Sequence, residues 1–130
     1  MYKVVLDTNV LVSALWSEHG NPYRILEMFF NGEIALHYND EILEEYNEVL
    51  YRDRLGFSEE KVFGLLSEII ENGRYVDAPK SGIPFIDEDD RKNYDTAIAS
   101  GAVLVTGNKK HYPEEPIILS PAEFLESVES

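Results

Sequence analysis

Three acidic side chains, Asp7, Glu45 and Asp90, have the type and setting of metal ligands. Asp7 interrupts the apolar stretch VVLDTNVLVSAL, where burial of a carboxylate is costly unless its charge is paired. Ligand sets made only of oxygen favour Mg²⁺ or Mn²⁺. Three carboxylates close together raise each other's pKa and remain ionised only when a cation shares them. The three acids therefore predict a divalent-metal site, provided that the fold brings them together.

Helix geometry distinguishes Glu45 and Asp90 from the other acids around them. In a predicted helix over residues 39–53, an advance of about 100° per residue turns Glu45 toward the apolar stripe and Glu44 toward water. In a second predicted helix, over residues 87–101, Asp90 lies in line with the buried face. Two structural interpretations stay open: a flanking residue of an amphipathic helix for Glu45, and a helix N-cap for Asp90.

The elements that must position these acids alternate along the chain. Strands are predicted within residues 2–6, 33–38, 74–78, 102–106 and 116–120, and helices within residues 21–32, 39–53, 58–73, 87–101 and 121–129. This alternation predicts an α/β fold, a three-layer sandwich with a central, mainly parallel sheet of four to five strands and helices on both faces. A length of 130 residues predicts one domain, residues 1–130.

Polar residues follow the predicted strands. Asp7-Thr8-Asn9 follows the first strand, and Thr106-Gly107-Asn108 lies at the end of the fourth. Parallel sheets of this kind bind ligands outside the carboxyl ends of their strands. We therefore expect these segments to meet the predicted metal ligands at one edge of the sheet.

Charge and composition limit the classes of function. The formal net charge is −14, from 11 Lys and Arg against 25 Asp and Glu, so any chemistry on nucleic acid needs a bridging cation or a local basic patch. Lys109 and Lys110 form the best such patch, although a solvated turn explains them equally well. The absence of cysteine excludes disulfides and thiolate zinc sites. No apolar run has the length of a membrane span, and a cytoplasmic protein is the simplest interpretation.

Three segments, in order and at suitable spacing, resemble a known family. They are LDTNVLVSAL, EILEEYNEVL and DEDDRKNYDTAIASGAVLVTGNKKHYP. The chain resembles a PIN domain, the nuclease fold of many bacterial toxin–antitoxin toxins, over nearly its whole length. The first motif alone is weak, whereas the ordered set is specific.

The resemblance implies a set of site residues. Asp7, Glu45 and Asp90 fall on the metal-binding acids of the family, which often has a fourth acid where this chain has Asn108. This departure weakens the case for a second metal. Other residues are candidates for supporting roles. Asp87 and Asp95 rank below the three acids as further ligands, and Lys109 and Lys110 are candidates for contacts to RNA phosphates. Hydrogen bonds around the ligands are expected from Thr8, Asn9, Thr106 and Asn108.

The resemblance further implies an activity and its partners. The expected activity is a Mg²⁺- or Mn²⁺-dependent endoribonuclease that hydrolyses RNA phosphodiester bonds. The expected partners are an RNA substrate, a cognate antitoxin and a second copy of the chain in a homodimer, with no membrane. The alternative is a weakly active or inactive PIN-fold module that binds an antitoxin or RNA.

Overall fold

A computed structural model describes residues 1–129. Its strands are β1 Tyr2–Leu6, β2 Ile34–Tyr38, β3 Arg74–Tyr75, β4 Val103–Val105 and β5 Ile118–Leu119. Its helices are α1 Thr8–Trp16, α2 Asn21–Phe30, α3 Asp40–Leu50, α4 Glu59–Asn72, α5 Arg91–Ser100 and α6 Pro121–Glu129, with short 3₁₀ turns at Asp53–Leu55, Glu88–Asp90 and Lys109–His111. None of the helices in residues 1–129 is long and apolar enough to cross a membrane.

The five strands form one parallel sheet in the order β3-β2-β1-β4-β5. In the central strand β1, Val4 pairs with Leu36 on one side and with Val103 on the other. The chain runs outward from β1 to β2 and β3 and then returns to β4 on the opposite side of β1. The strand order therefore reverses between β1 and β4, and the crevice at their carboxyl ends is the expected binding place. The predicted α/β fold is confirmed.

Helices cover both faces of this sheet. Successive side chains of a strand point to opposite faces, and Val4, Val5 and Leu6 are all fully buried. Helix α5 packs against β1, β2 and β4, and α2 packs against β2. Burial on both faces explains why the second half of β1, Val4-Val5-Leu6, is an unbroken apolar run up to Asp7.

Helix α1, which directly follows Asp7, is absent from the sequence prediction. Its sequence carries β-branched residues such as Val10 and Val12, whose restricted side chains lower helix propensity. Packing overrides this preference, because Val10, Leu11 and Ala14 are buried and α1 contacts α2 and α3. The helix fixes Asp7 at a strand-to-helix junction with no intervening loop.

Other boundaries differ from the prediction in ways that affect the site. The predicted helix over residues 87–101 consists of the 3₁₀ turn Glu88–Asp90 followed by α5, so Asp90 is the N-cap residue of α5. Helix α5 ends at Gly101, which adopts the left-handed conformation with φ of +70°. The strands β3 and β5 are shorter than predicted, with two residues each.

Candidate active site

Asp7 lies buried at the junction of β1 and α1. Its Oδ2 accepts hydrogen bonds from Thr106 Oγ1 at 2.9 Å and from Tyr112 Oη at 2.8 Å. Its backbone N–H donates to the carbonyl of Val105 at 3.0 Å. Burial raises the pKa of Asp7, and the two hydroxyl donors oppose that rise. The carboxylate is therefore fixed in the crevice between β1 and β4.

Tyr112 is a site residue that the sequence analysis missed. Its hydroxyl donates to Asp7 and accepts a hydrogen bond from Asn93 Nδ2 at 3.1 Å. Burial, together with the nearby Asp7 carboxylate, raises the pKa of Tyr112, so the phenol stays protonated and keeps donating. No local periodicity marks this tyrosine, because its partner Asp7 is 105 positions away in the chain.

Glu45 faces the crevice, as the helical wheel predicts, and Glu44 is exposed. Thr8, the first residue of α1, donates its hydroxyl to Glu45 Oε2. The neighbouring Tyr46 is fully buried and donates its hydroxyl to the Leu6 carbonyl, which ties α3 to the end of β1. Glu45 is therefore connected, through Thr8, to the residue that follows Asp7.

Lys92 is a second residue that the sequence analysis missed. Its ammonium lies 2.8 Å from Glu45 Oε1 and also donates to the backbone carbonyl of Asp89. The side chain is only 13% exposed, compared with 24% for Glu45. A cation in the first turn of a helix is repelled by the positive end of the helix dipole. The position of Lys92 near the start of the predicted helix was therefore a sequence signal that an acidic partner lies nearby.

Asp90 contributes a buried oxygen with an unused acceptor capacity. Its side chain is 17% exposed, and Oδ2 accepts no hydrogen bond from any residue in 1–129. The Nδ1 atom of His111 lies 3.4 Å from Oδ2. Burial first, then the negative charges of Asp7 and Asp87, raise the pKa of Asp90 to about 6. Asp7 and Asp90 are therefore close enough to repel each other.

The chemistry of these donors fits a divalent cation. Asp7, Glu45 and Asp90 offer carboxylate oxygens, and the unbonded Oδ2 of Asp90 is an oxygen that a cation would satisfy. Within residues 1–129, however, no group of three or more His, Cys, Asp or Glu side chains is gathered closely enough to hold an ion. Glu45 is instead engaged by Thr8 and Lys92, so the lysine ammonium provides its counter-charge.

Thr106, Asn108 and Asn9 form the hydrogen-bonded wall of the crevice. Thr106 Oγ1 donates to Asp7 and accepts the backbone N–H of Asn108 at 3.0 Å. Asn9 Oδ1 accepts the N–H of Gly107 at 3.0 Å, which ties α1 to the loop after β4. The side chain of Asn108 reaches His111, with Nδ2 lying 3.4 Å from Nδ1.

The two further acids considered from the sequence occupy other positions. Asp87 is exposed and accepts the N–H of Asp89 at 3.0 Å, which caps the 3₁₀ turn. Asp95 is buried, but its Oδ2 accepts the N–H of Ser81 at 3.1 Å and so anchors the loop before that turn. Neither side chain contacts Asp7, although the charge of Asp87 contributes to the raised pKa of Asp90.

The two lysines of the predicted basic patch differ in their surroundings. Lys109 Nζ lies 2.9 and 3.2 Å from the two carboxylate oxygens of Glu123 on α6. Lys110 is exposed and forms no ion pair with any residue in 1–129. Of these two lysines, Lys110 is therefore the one whose charge no ion pair within residues 1–129 neutralises.

Comparison with known proteins gives matches at three levels. A family model described as PIN domain matches residues 3–110. Uncharacterized protein MJ1680 of Methanocaldococcus jannaschii is 32% identical over 111 residues, which cover 82% of this chain and 71% of that protein. The crystal structure of VapBC2 from Rickettsia felis bound to a DNA fragment from their promoter matches with a TM-score of 0.54 and 20% identity, over 91% of this chain and 96% of that chain.

These matches establish the fold and the family of the chain. The structural match shows a shared fold, and the family model includes the segments that carry Asp7, Glu45 and Asp90. A family model that matches residues 3–110 covers most of the chain. The chain therefore belongs to the PIN-domain family.

Proposed function

We propose that this chain is a metal-dependent endoribonuclease, built as one PIN nuclease domain over residues 1–130, and the toxin of a toxin–antitoxin pair. The observation that carries the proposal is the buried Asp7 carboxylate at the point where the strand order reverses, close enough to Asp90 that its charge adds to burial in raising the pKa of Asp90 to about 6. PIN domains are generally nucleases, and the fold shared with VapBC2 supports an antitoxin as partner.

Asp7, Glu45 and Asp90 are the residues that would hold the ion, Mg²⁺ or Mn²⁺. When bound, such an ion makes a water molecule easier to deprotonate and stabilises negative charge on the scissile phosphate. The chain's own contribution is positioning. Tyr112 and Thr106 hold Asp7, and Thr8 holds Glu45, before any substrate arrives.

The chain is acidic and must nevertheless bind RNA, which is a polyanion. With a net charge of −14, most of the surface repels RNA. Lys110 is the exposed cation beside the crevice that has no ion-pair partner in residues 1–129, and we assign it to an RNA phosphate. Lys109 would join it only by releasing Glu123. We place this activity in the cytoplasm. An antitoxin complex and a homodimer are the proposed assemblies, and measuring the mass of the protein in solution tests both.

Adjacent glutamates provide a matched test of the proposal. Glu45→Gln and Glu44→Gln make the same chemical change one position apart, on the buried and the exposed side of α3. With a labelled single-stranded RNA, we expect the wild type to cleave in Mn²⁺ and not in chelator. We expect Glu45→Gln to lose most of this activity and Glu44→Gln to keep it. Equal activity of the two variants would contradict the role of Glu45.

A second function is favoured by one observation. Glu45 is paired with Lys92, and no three-residue donor group is assembled within the described residues 1–129. These facts suit a weakly active or inactive module that binds an antitoxin or RNA. RNA binding in Mn²⁺ without any cleavage by the wild type would favour this alternative over the nuclease.

A further inference from the structure

We infer that the groove between α3 and α4 is a docking surface for an amphipathic helix of another protein, one whose apolar stripe is flanked by lysine or arginine. The groove lies away from the crevice. An advance of about 100° per residue puts Glu45 about 140° around α3 from the middle of the groove-lining residues. The inference therefore does not rest on the proposed nuclease, and the result of its test is independent of RNA cleavage.

Two rows of side chains form the groove, one from each helix. The row from α3 and its C-cap consists of Asp40, Leu43, Glu44, Asn47 and Tyr51, and the row from α4 consists of Phe63, Leu66, Ser67 and Ile70. The residues of each row recur every three or four positions and so share one face of their helix. The α3 row spans about 16 Å, three turns of helix. The groove, with a volume of about 400 Å³, therefore has the length of a three-turn helix.

The apolar side chains of the groove are open to solvent. Phe63 is 67% exposed and Ile70 is 54% exposed, and Tyr51 across the groove is 38% exposed. Large apolar side chains that lie exposed beside one another mark interaction surfaces. A small-molecule site encloses most of its ligand, whereas this groove leaves its largest apolar side chains at the surface. Such a surface suits a helix that lies along the groove and inserts apolar residues from one face.

The charged residues that line the groove are both acids. Asp40 and Glu44 are four positions apart on α3, a spacing at which like charges repel. Glu59 stands four positions before Phe63 and so extends the groove-facing row of α4. Neither Glu44 nor Glu59 has an ion-pair partner within residues 1–129. Lysine or arginine on either side of a partner's apolar stripe would relieve this repulsion.

A second copy of the chain fits the groove poorly. A twofold interface brings the same surface of both copies together, so Asp40 and Glu44 would face the same acids of the other copy. Each copy also has a net charge of −14. Within residues 1–129, no helix carries more than two lysines or arginines, so a helix of a second copy would not supply basic flanks. A homodimer of this chain would therefore use another face.

Labelled peptides test the inference by fluorescence anisotropy. The probe is a helical peptide with leucines at positions i, i+3, i+4 and i+7 and lysines beside them. One control peptide has glutamates in place of the lysines, and a second has the composition of the probe in scrambled order. The wild type should bind the probe at least about tenfold more tightly than either control. Equal binding of either control, or no binding of the probe, would overturn the inference.

Matched variants at exposed positions locate the binding surface. Phe63→Ala and Ile70→Ala remove apolar side chains from the groove, whereas Phe30→Ala removes one that is 45% exposed on α2, outside the groove. Each groove variant should weaken binding of the lysine peptide by about fivefold or more, and Phe30→Ala should bind as wild type does. Thermal melts verify that each variant is folded. Equal affinity of all three variants would overturn the inference.

Charge reversal tests the choice of a basic partner. Glu44→Lys and Glu27→Lys change the net charge equally, one in the groove and one at an exposed position of α2 outside it. Only Glu44→Lys should shift the preference from the lysine peptide toward the glutamate peptide. An equal shift in both variants would reveal an effect of net charge alone and overturn the inference. A wild-type dimer that becomes a monomer in Phe63→Ala would place a second copy in the groove and would also overturn it.

Discussion

At the scale of single residues, the site is a set of buried charges held by hydroxyl groups. Asp7 receives hydrogen bonds from Thr106 and Tyr112 on one oxygen, and Glu45 receives one from Thr8. A hydrogen bond to a charged group contributes about 1.5–3 kcal/mol, which offsets part of the cost of burying the carboxylate. Protein donors therefore stabilise Asp7 and Glu45, while Asp90 Oδ2 has no such donor in residues 1–129.

Lys92→Met tests whether the lysine ammonium acts as the counter-charge of Glu45. In chelator, we expect the free energy of unfolding to fall by about 1–2 kcal/mol. This range lies between the small contribution of exposed ion pairs and the larger cost of breaking buried ones. We expect a larger rise in Tm on adding Mn²⁺ than in wild type, because the ion no longer competes with the ammonium for Glu45. Thermal melts with and without Mn²⁺ measure both effects.

Lys61→Met is the control for that experiment, because Lys61 is exposed on α4 and forms no ion pair with any residue in 1–129. This variant should behave as wild type in both conditions. If Lys92→Met gained no more from Mn²⁺ than Lys61→Met does, Lys92 would be a structural ion-pair partner alone.

The raised pKa of Asp90 predicts how stability varies with pH. Burial and neighbouring acids raise it from 3.8 to about 6, so between these values the folded state binds more protons than the unfolded state. The stability associated with this group is therefore complete below pH 3.8 and lost as pH rises through 6. We expect the Tm of the metal-free protein to rise as pH falls from about 7 to about 5, and Asp90→Asn to reduce that rise.

Asp89→Asn makes the same change of charge at the neighbouring exposed position and serves as the matched control. Burial also raises the pKa of Asp7, so some pH dependence should remain in Asp90→Asn. An identical pH profile for wild type, Asp89→Asn and Asp90→Asn would show that Asp90 does not carry the effect.

At the scale of elements, two helices bring the site together through one asparagine. Asn39 caps α3 by accepting the N–H of Ile42 at 3.1 Å, and its amide donates to Thr96 on α5 at 2.7 Å. Helix α3 carries Glu45, and α5 begins immediately after Asp90. Asn39 therefore caps α3 and also links it to α5 by a hydrogen bond.

Two glycines on helices predict stability effects of opposite sign. Gly101 ends α5 with a φ of +70°, a conformation that costs a residue with a Cβ about 1–2 kcal/mol. Gly64 lies inside α4, where an added Cβ would meet no described atom within 4 Å apart from its chain neighbours and the backbone of its own helix. Urea unfolding should show Gly101→Ala less stable and Gly64→Ala more stable by about 0.5–1 kcal/mol. If both substitutions changed the free energy of unfolding in the same direction, the roles given to these two glycines would be contradicted.

The sequence predicted the elements whose patterns are local. Apolar periodicity located β1 and predicted that Glu45 faces inward, because both features depend on residues close together in the chain. It did not locate α1, where tertiary packing overrides β-branched residues such as Val10. It could not find Lys92 or Tyr112, because their partners lie 47 and 105 positions away in the chain. Contacts over such distances leave no spacing to recognise.

At the scale of the whole molecule, charge limits how RNA can be held. A net charge of −14 and the pairing of Lys109 with Glu123 leave little basic surface beside the crevice. RNA binding that depended on many lysines would weaken steeply with salt. We infer instead that the divalent ion provides most of the local attraction, so binding and cleavage should both depend on it.

The most direct test is RNA cleavage by wild type and by Asp7→Asn, each in chelator and in Mn²⁺. The asparagine oxygen can still accept from Thr106 and Tyr112, so we expect a folded variant, which a thermal melt verifies. The account predicts cleavage only by wild type with Mn²⁺, and a loss of about a hundredfold or more in Asp7→Asn. Cleavage by wild type in chelator, or equal cleavage by a folded Asp7→Asn, would contradict a metal-dependent nuclease centred on Asp7.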